Sequence, residues 1–206
     1  MLHNIHWLGH AGFFIECPKK KNVFIDPYKI KNKLPKADII LITHAHANHC
    51  SPADIKKIVK EGTVIIGPAQ IVLELPYPVK VVSPGERLTV KDIEIQAVWA
   101  YNPLKKYHPR EEGNLGFVVT IDKIKVYHAG DTDFIPEMKK IKADIAIVPI
   151  GGIYTMDARE AAEAVNVMHP AVVIPMHFVN PEREEEDLRI FQSLCKSEVR
   201  VLEREV

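Results

Sequence analysis

Ile39-Ile40-Leu41-Ile42-Thr43-His44-Ala45-His46-Ala47-Asn48-His49-Cys50-Ser51-Pro52 is an apolar run that ends in a histidine cluster and then in a helix start. The apolar part, 39–43, has no polar residue before Thr43, which predicts a strand buried on both faces. Ser51 and Pro52 read as an N-cap and first helical position, with Ile55, Ile58 and Val59 on one face and Gly62 as the stop. His44, His46 and His49 therefore lie in a strand-to-helix loop, where side chains can converge while rigid elements hold both ends. Imidazole is the commonest protein ligand for zinc, and three at this spacing predict a metal site.

Upstream, 5–8, 12–16 and 23–25 read as short strands. Downstream, so do 64–66, 79–82, 93–99 and 115–121, the last turning at Asp122-Lys123 into 124–127. Beyond Asp131 the pattern becomes β-α-β. A strand at 145–149 precedes a helix at 158–168, with Asp157 and Glu160 spaced as a capping box, and a strand at 172–174 follows. A helix over 182–194 and a strand over 199–202 complete the reading. Each half ends buried strands in loops carrying His or Asp. This suits an α/β fold of two sheets packed face to face, helices outside, with a site at one shared edge. At 206 residues and 47% hydrophobic, the chain suits a single domain over 1–206.

Lys plus Arg equals Asp plus Glu at 27 each, so no basic field attracts nucleic acid, and none is expected as a partner. The start lacks a basic segment followed by an apolar one, and no run approaches the ~18 apolar residues of a membrane span. Three cysteines, Cys17, Cys50 and Cys195, form no CxxC pair, which argues against a disulfide framework and for a reducing cytoplasm. The expected partner is a small-molecule substrate; the oligomeric state is not legible.

Two further strand ends carry chemistry. Tyr127-His128-Ala129-Gly130-Asp131-Thr132-Asp133 offers a carboxylate whose two oxygens can bridge cations roughly 3.5 to 4 Å apart, and Gly130 allows close backbone approach. Val173-Ile174-Pro175-Met176-His177 ends a strand in an imidazole. Alone, Asp131 reads as a turn cap and His177 as structural; three strand ends presenting His or Asp together read as one site.

Trp7-Leu8-Gly9-His10-Ala11, Phe24-Ile25-Asp26-Pro27, the histidine segment, Gly130-Asp131-Thr132 and Pro175-Met176-His177 together resemble the metallo-β-lactamase superfamily, in its small hydrolase-like branch. That resemblance implies an αββα sandwich with metals at the sheet edge. Position by position, it implies His44 and His46 on a first metal, His49 and His177 on a second, and Asp131 between them. The remaining ligand of the first metal is expected after 93–99. There the chain offers Asn102 and then His108, and His108 is favoured because imidazole binds zinc far better than an amide. Where the superfamily pattern HxHxDH has Asp, this chain has Asn48. An amide carries no charge and no exchangeable acid proton, so the second metal should bind more weakly unless His49, Asp131 and His177 compensate.

The resemblance implies a hydrolase that cleaves an ester-like bond, phosphodiester or lactone, by a metal-activated hydroxide. Asp131 and Asn48 are its catalytic positions, and two zinc ions, with manganese or iron as substitutes, its cofactors. His10, Asn102, Arg110 and Tyr154 are candidate substrate contacts, Arg110 through its forked donors. His128 is expected to steady the Asp131 loop, and Cys50 to be aimed away. The rivals are a metal-binding sensor without turnover and a di-iron redox protein.

Overall fold

The computed structural model describes residues 2–31 and 33–205, and in both of its sheets the spatial order of strands is the order of the chain. The first sheet contains β1 (Ile5–Gly9), β2 (Gly12–Cys17), β3 (Lys21–Ile25), β4 (Ile39–Leu41), β5 (Val64–Gly67) and β6 (Val79–Val81). The second contains β7 (Arg87–Val90), β8 (Ile93–Trp99), β9 (Leu115–Ile121), β10 (Ile124–His128), β11 (Ile145–Pro149), β12 (Val172–Met176) and β13 (Glu198–Val199). β1 to β3 are antiparallel and β3 to β6 parallel; β7 to β10 are antiparallel and β10 to β13 parallel.

Side-chain alternation sorts the residues of each strand into two layers. Phe13, Ile15, Val23, Ile25, Ile39 and Leu41 meet Ile95, Ala97, Phe117, Val119, Ile147 and Ile174 between the sheets. Their neighbours Phe14, Phe24, Ile40 and Ile42 face outward and are covered by Ile55 and Ile58 of α1 (Pro52–Ile58). On the other side Tyr127, Ala146, Val148 and Val173 are covered by the alanine-rich face of α2 (Ala158–Met168), with Phe191 of α3 (Glu184–Leu194) packed into the same cluster. The result is the expected αββα order of layers, and it explains why 39–42 is apolar without interruption: both faces of β4 are inside.

Local signals were read well where they act alone. Ser51 caps α1 by accepting from the Asp54 N–H at 3.3 Å. Asp122 and Lys123 both take positive φ, 48° and 70°, as a two-residue hairpin turn with right-handed twist requires. Elsewhere tertiary partners moved the boundaries. α1 stops at Ile58, short of Gly62, because the Ile58 carbonyl accepts from the Ala37 N–H at 2.8 Å instead of from a further helical turn. α3 starts at Glu184 and not at 182, because Asn180 takes the Glu182 and Arg183 N–H groups into a turn. β13 covers Glu198–Val199 and not 199–202; Pro175 in β12 has no N–H to continue the ladder. Glu160 does not close a capping box. Asp157 accepts from the Arg159 and Glu160 N–H groups at 2.9 Å, while Glu160 turns to the Phe134 N–H at 2.8 Å. The sequence reading missed β7, a charged edge strand.

Cys17, Cys50 and Cys195 are free, and Cys50 packs among the residues under α1. Among the described residues no helix is long and apolar enough to cross a membrane.

Phe117 is fully buried between the sheets. Phe117→Ala is expected to lower unfolding free energy by about 3 to 5 kcal/mol, and Asp157→Ala by about 1 kcal/mol, in denaturant titrations of the two variants.

Candidate metal centre

The parallel strands of both sheets point their carboxyl ends at one edge, and the loops leaving them meet there. Asp26 follows β3, the histidine loop follows β4, Asn102 follows β8, Asp131 follows β10 and His177 follows β12. The turn between β1 and β2 adds His10. The two sheets are joined at this edge by the backbone itself: Leu115 N–H donates to the Thr43 carbonyl at 2.9 Å, and His177 N–H to the His10 carbonyl at 3.1 Å.

Asp26 is fully buried and accepts three hydrogen bonds, from Thr43 N–H at 2.8 Å, Thr43 Oγ1–H at 2.6 Å and His49 Nδ1–H at 2.7 Å. Once Thr43 Oγ1 has given its proton to Asp26, it can only accept from His44 Nδ1–H, 2.9 Å away. Both imidazoles thereby carry a proton on Nδ1 and turn Nε2 toward the cluster, His44 Nε2 lying 3.0 Å from His46 Nδ1. His108 is fixed in the same sense by Asn102 Oδ1 at 2.8 Å and the Tyr154 carbonyl at 3.2 Å. Asn102 is thus the residue that orients His108, and it is the imidazole that turns its free nitrogen toward Asp131.

Asp131 is the meeting point. Its Oδ2 lies 3.0 Å from His177 Nε2, 3.4 Å from His49 Nε2 and 3.5 Å from His108 Nε2. Gly130 carries it there at φ 66°, on a path where a Cβ would stand 2.5 Å from the Leu115 carbonyl oxygen and 3.3 Å from Thr43. Ligand atoms of His44, His46 and His108 lie within 4.8 Å of one another; so do those of His44, His49 and Asp131, and those of His10, His49 and His177. His49 Nε2, His108 Nε2, both ring nitrogens of His177 and Asp131 Oδ1 are buried without a hydrogen-bond partner among the described residues. Buried polar atoms left unpaired are costly, and so many around one carboxylate need a cation to bind them. Neutral imidazoles and one carboxylate are the donor set of zinc, and of iron as well.

Charge follows the same layout. Burial would lower His49, but the carboxylates of Asp131 and Asp26 outweigh it and raise it to about 10. Burial opposes ionisation of Asp131, yet His177 and His49 hold it well below the usual carboxylate range. Burial, reinforced by neighbouring imidazoles, lowers His10 to about 3 and His44 well below its ordinary value; for His108 burial, against the pull of Asp131, gives about 4.

Of the other candidates, His128 sits as expected, and the rest take other contacts. Asn48 does not join Asp131; its amide lies 2.6 Å from His10 Nε2. Arg110 pairs through Nη2 with Glu137 at 3.2 Å and lies over the faces of Trp99 and Tyr101, at 4.5 and 5.4 Å. The Tyr154 ring stands partly exposed against Tyr107, with centroids 4.6 Å apart, and only its carbonyl reaches the cluster. His128 steadies the Asp131 loop through Gly130 N–H at 3.2 Å, its other nitrogen donating to the Ala11 carbonyl at 2.9 Å. Sequence reasoning gave Asp26 no task, although an acid between Ile25 and Pro27 at the end of an apolar strand is a signal that could have found it.

Comparison with known proteins agrees with this geometry. Residues 4–177 match the β-lactamase superfamily domain. A UPF0173 metal-dependent hydrolase of Thermoplasma acidophilum is 38% identical over 190 residues, covering 84% of this chain and 82% of that protein. Igni18, a metallo hydrolase from the archaeon Ignicoccus hospitalis, superposes with a TM-score of 0.79 at 26% identity, over 98% of this chain and 95% of that one. A Parabacteroides distasonis structure described as a metal-dependent hydrolase superposes at 0.86 with 34% identity, over 98% and 93%.

Two outcomes follow. Asp26→Asn keeps the shape of the side chain and removes its charge; zinc affinity, measured against a competing chelator, is expected to fall 10- to 100-fold, as for other residues that orient metal-bound histidines. In chelator-treated protein, His10, His44 and His108 stay neutral when folded, so stability falls as pH drops from about 6.5 toward 4, where only the unfolded chain takes up their protons. His49 has the opposite sign, and its contribution is lost as pH rises from about 6.5 through 10. Thermal unfolding across this range is expected to show a maximum near pH 6.5, and zinc should flatten the profile by replacing the proton of His49.

Proposed function

The chain belongs to the β-lactamase superfamily and is a metal-dependent hydrolase of it, and on that footing we propose that it cleaves an ester-like bond of a small molecule with two zinc ions. One observation carries the reading: a single buried carboxylate oxygen, Asp131 Oδ2, stands within 3.5 Å of imidazole nitrogens from three separate loops, each lacking a hydrogen-bond partner. A carboxylate so placed serves two cations better than one. His44, His46 and His108 would hold the first ion and His49 and His177 the second, with Asp131 placed between the two sets. Bound there, divalent ions supply Lewis acidity and lower the pKa of water from 15.7 toward about 7.

The residues divide the remaining work. Asp131, held ionised, supplies charge and position and is not a proton donor. Asn48 cannot titrate near neutral pH, so it does not fill the acid role its position would offer an aspartate. The leaving group then takes its proton from water, to which the exposed His46 side of the cluster is open. Electrical neutrality, with no basic run longer than Lys19-Lys20-Lys21, favours a small substrate, phosphodiester or lactone, over a long nucleic acid. Three free cysteines suit a reducing cytoplasm.

Elemental analysis of the purified protein, with assays on bis(p-nitrophenyl) phosphate and a chromogenic lactone with and without added zinc or manganese, tests this. Two zinc ions per chain and metal-dependent turnover on either substrate are expected, and Asp131→Ala should lower kcat roughly 100-fold or more. Iron with visible absorption would favour redox chemistry; one metal without turnover on either substrate would favour a sensor.

A further inference from the structure

The proposed second ion has a gap in its ligand set where Asn48 stands, and the structure brings another residue to it. We infer that His10 supplies the missing ligand, making the second site a three-histidine site of His10, His49 and His177 capped by Asp131, while Asn48 orients His10 and does not bind the ion. This rests on the dinuclear reading above.

Three observations carry it. Ligand atoms of His10, His49 and His177 lie within 4.8 Å of one another, a grouping separate from that of His44, His46 and His108. The ring centroids of His10 are 3.9 Å from those of His177 and 5.2 Å from those of His49, and the buried nitrogens of both partners that face this space lack hydrogen-bond partners. The His10 and His177 rings are tilted at 42° and those of His10 and His49 lie edge-on at 64°, and packing alone leaves the buried nitrogens of His49 and His177 unpaired; a cation between the rings would pair them.

The second observation is backbone. His10 and His177 both adopt left-handed conformations, φ 53° and 57°, His10 as the first residue of the two-residue turn between β1 and β2 and His177 directly after β12. The His10 carbonyl accepts from His177 N–H at 3.1 Å and from Trp7 Nε1–H at 3.0 Å. The β1–β2 turn of one sheet is thereby tied to the end of β12 in the other. Such a tie holds two rings side by side; a surface histidine needs nothing of the kind.

The third is the amide. Asn48 lies 2.6 Å from His10 Nε2. Its oxygen and nitrogen exchange places by a half-turn, and with the oxygen toward His10 the proton stays on Nε2 and the lone pair of Nδ1 is released to a cation. That is the relation Asn102 has to His108 in the first site. A nitrogen-rich second site carries one negative charge fewer than one with aspartate at position 48. It should therefore bind more weakly than a site with aspartate at 48 would, and favour zinc over manganese, which prefers oxygen donors.

Zinc itself is the probe, titrated into chelator-treated wild type, His10→Ala and Asn48→Ala in the presence of a competing indicator. Wild type is expected to bind two equivalents; His10→Ala should retain the tight first equivalent, which also reports that it is folded, and weaken the second at least 10-fold. Asn48→Ala should weaken the second only a few-fold. Loss of the second equivalent in Asn48→Ala with its retention in His10→Ala overturns the inference and leaves the dinuclear reading intact. A single equivalent in wild type overturns both. Should His10→Ala not fold, anomalous scattering at the zinc edge from wild-type crystals decides: an ion about 2.0 to 2.1 Å from a His10 nitrogen supports the assignment, and one held by the Asn48 amide with His10 distant overturns it.

Discussion

The buried carboxylate of Asp26 is the interaction on which the site depends. It binds Thr43 twice and His49 once, and through Thr43 it sets the tautomer of His44. A charge with no exposed surface survives only where every lone pair has a donor, and here the donors are the strand end and loop that must be held still. A requirement for burying a charge becomes, by geometry, a requirement that two imidazoles turn the same nitrogen toward the same space.

Opposite Asp26, Asp131 draws the second half of the chain to the same point. It reaches that point because Gly130 permits a backbone path between Leu115 and Thr43 that a Cβ would block. The two acids act at different distances from the proposed ions: Asp131 is among the nitrogens, and Asp26 stands behind one of them. With a continuous apolar core between the sheets, neither half can slide relative to the other without opening cavities, so the histidines are held by packing as well as by hydrogen bonds.

Six imidazoles surrounding one carboxylate make this a nitrogen-dominated centre. Such a set relies on neutral histidines, and burial holds His10, His44 and His108 below their ordinary pKa. His49 is the exception, because it lies between both acids. Where a proton sits on His49 in the stripped protein, a cation would compete for the same lone pair, which couples metal affinity to pH.

Much of this was legible in the sequence because it is written in short-range patterns. The apolar run at 39–43, the Ser51-Pro52 helix start and the Asp122-Lys123 turn are local signals, and the superfamily motifs carried the αββα order. What failed were judgements about partners. A backbone N–H from Ala37 ended α1 early, and Phe134 took Glu160 from its capping box. Asp26 looked like the end of a strand, and Asn48 looked like a weakened ligand. Residue type and spacing fix which chemistry a loop can offer; which side chains share a proton or face one point depends on contacts between residues far apart in the chain, and those exist only once the two sheets have packed.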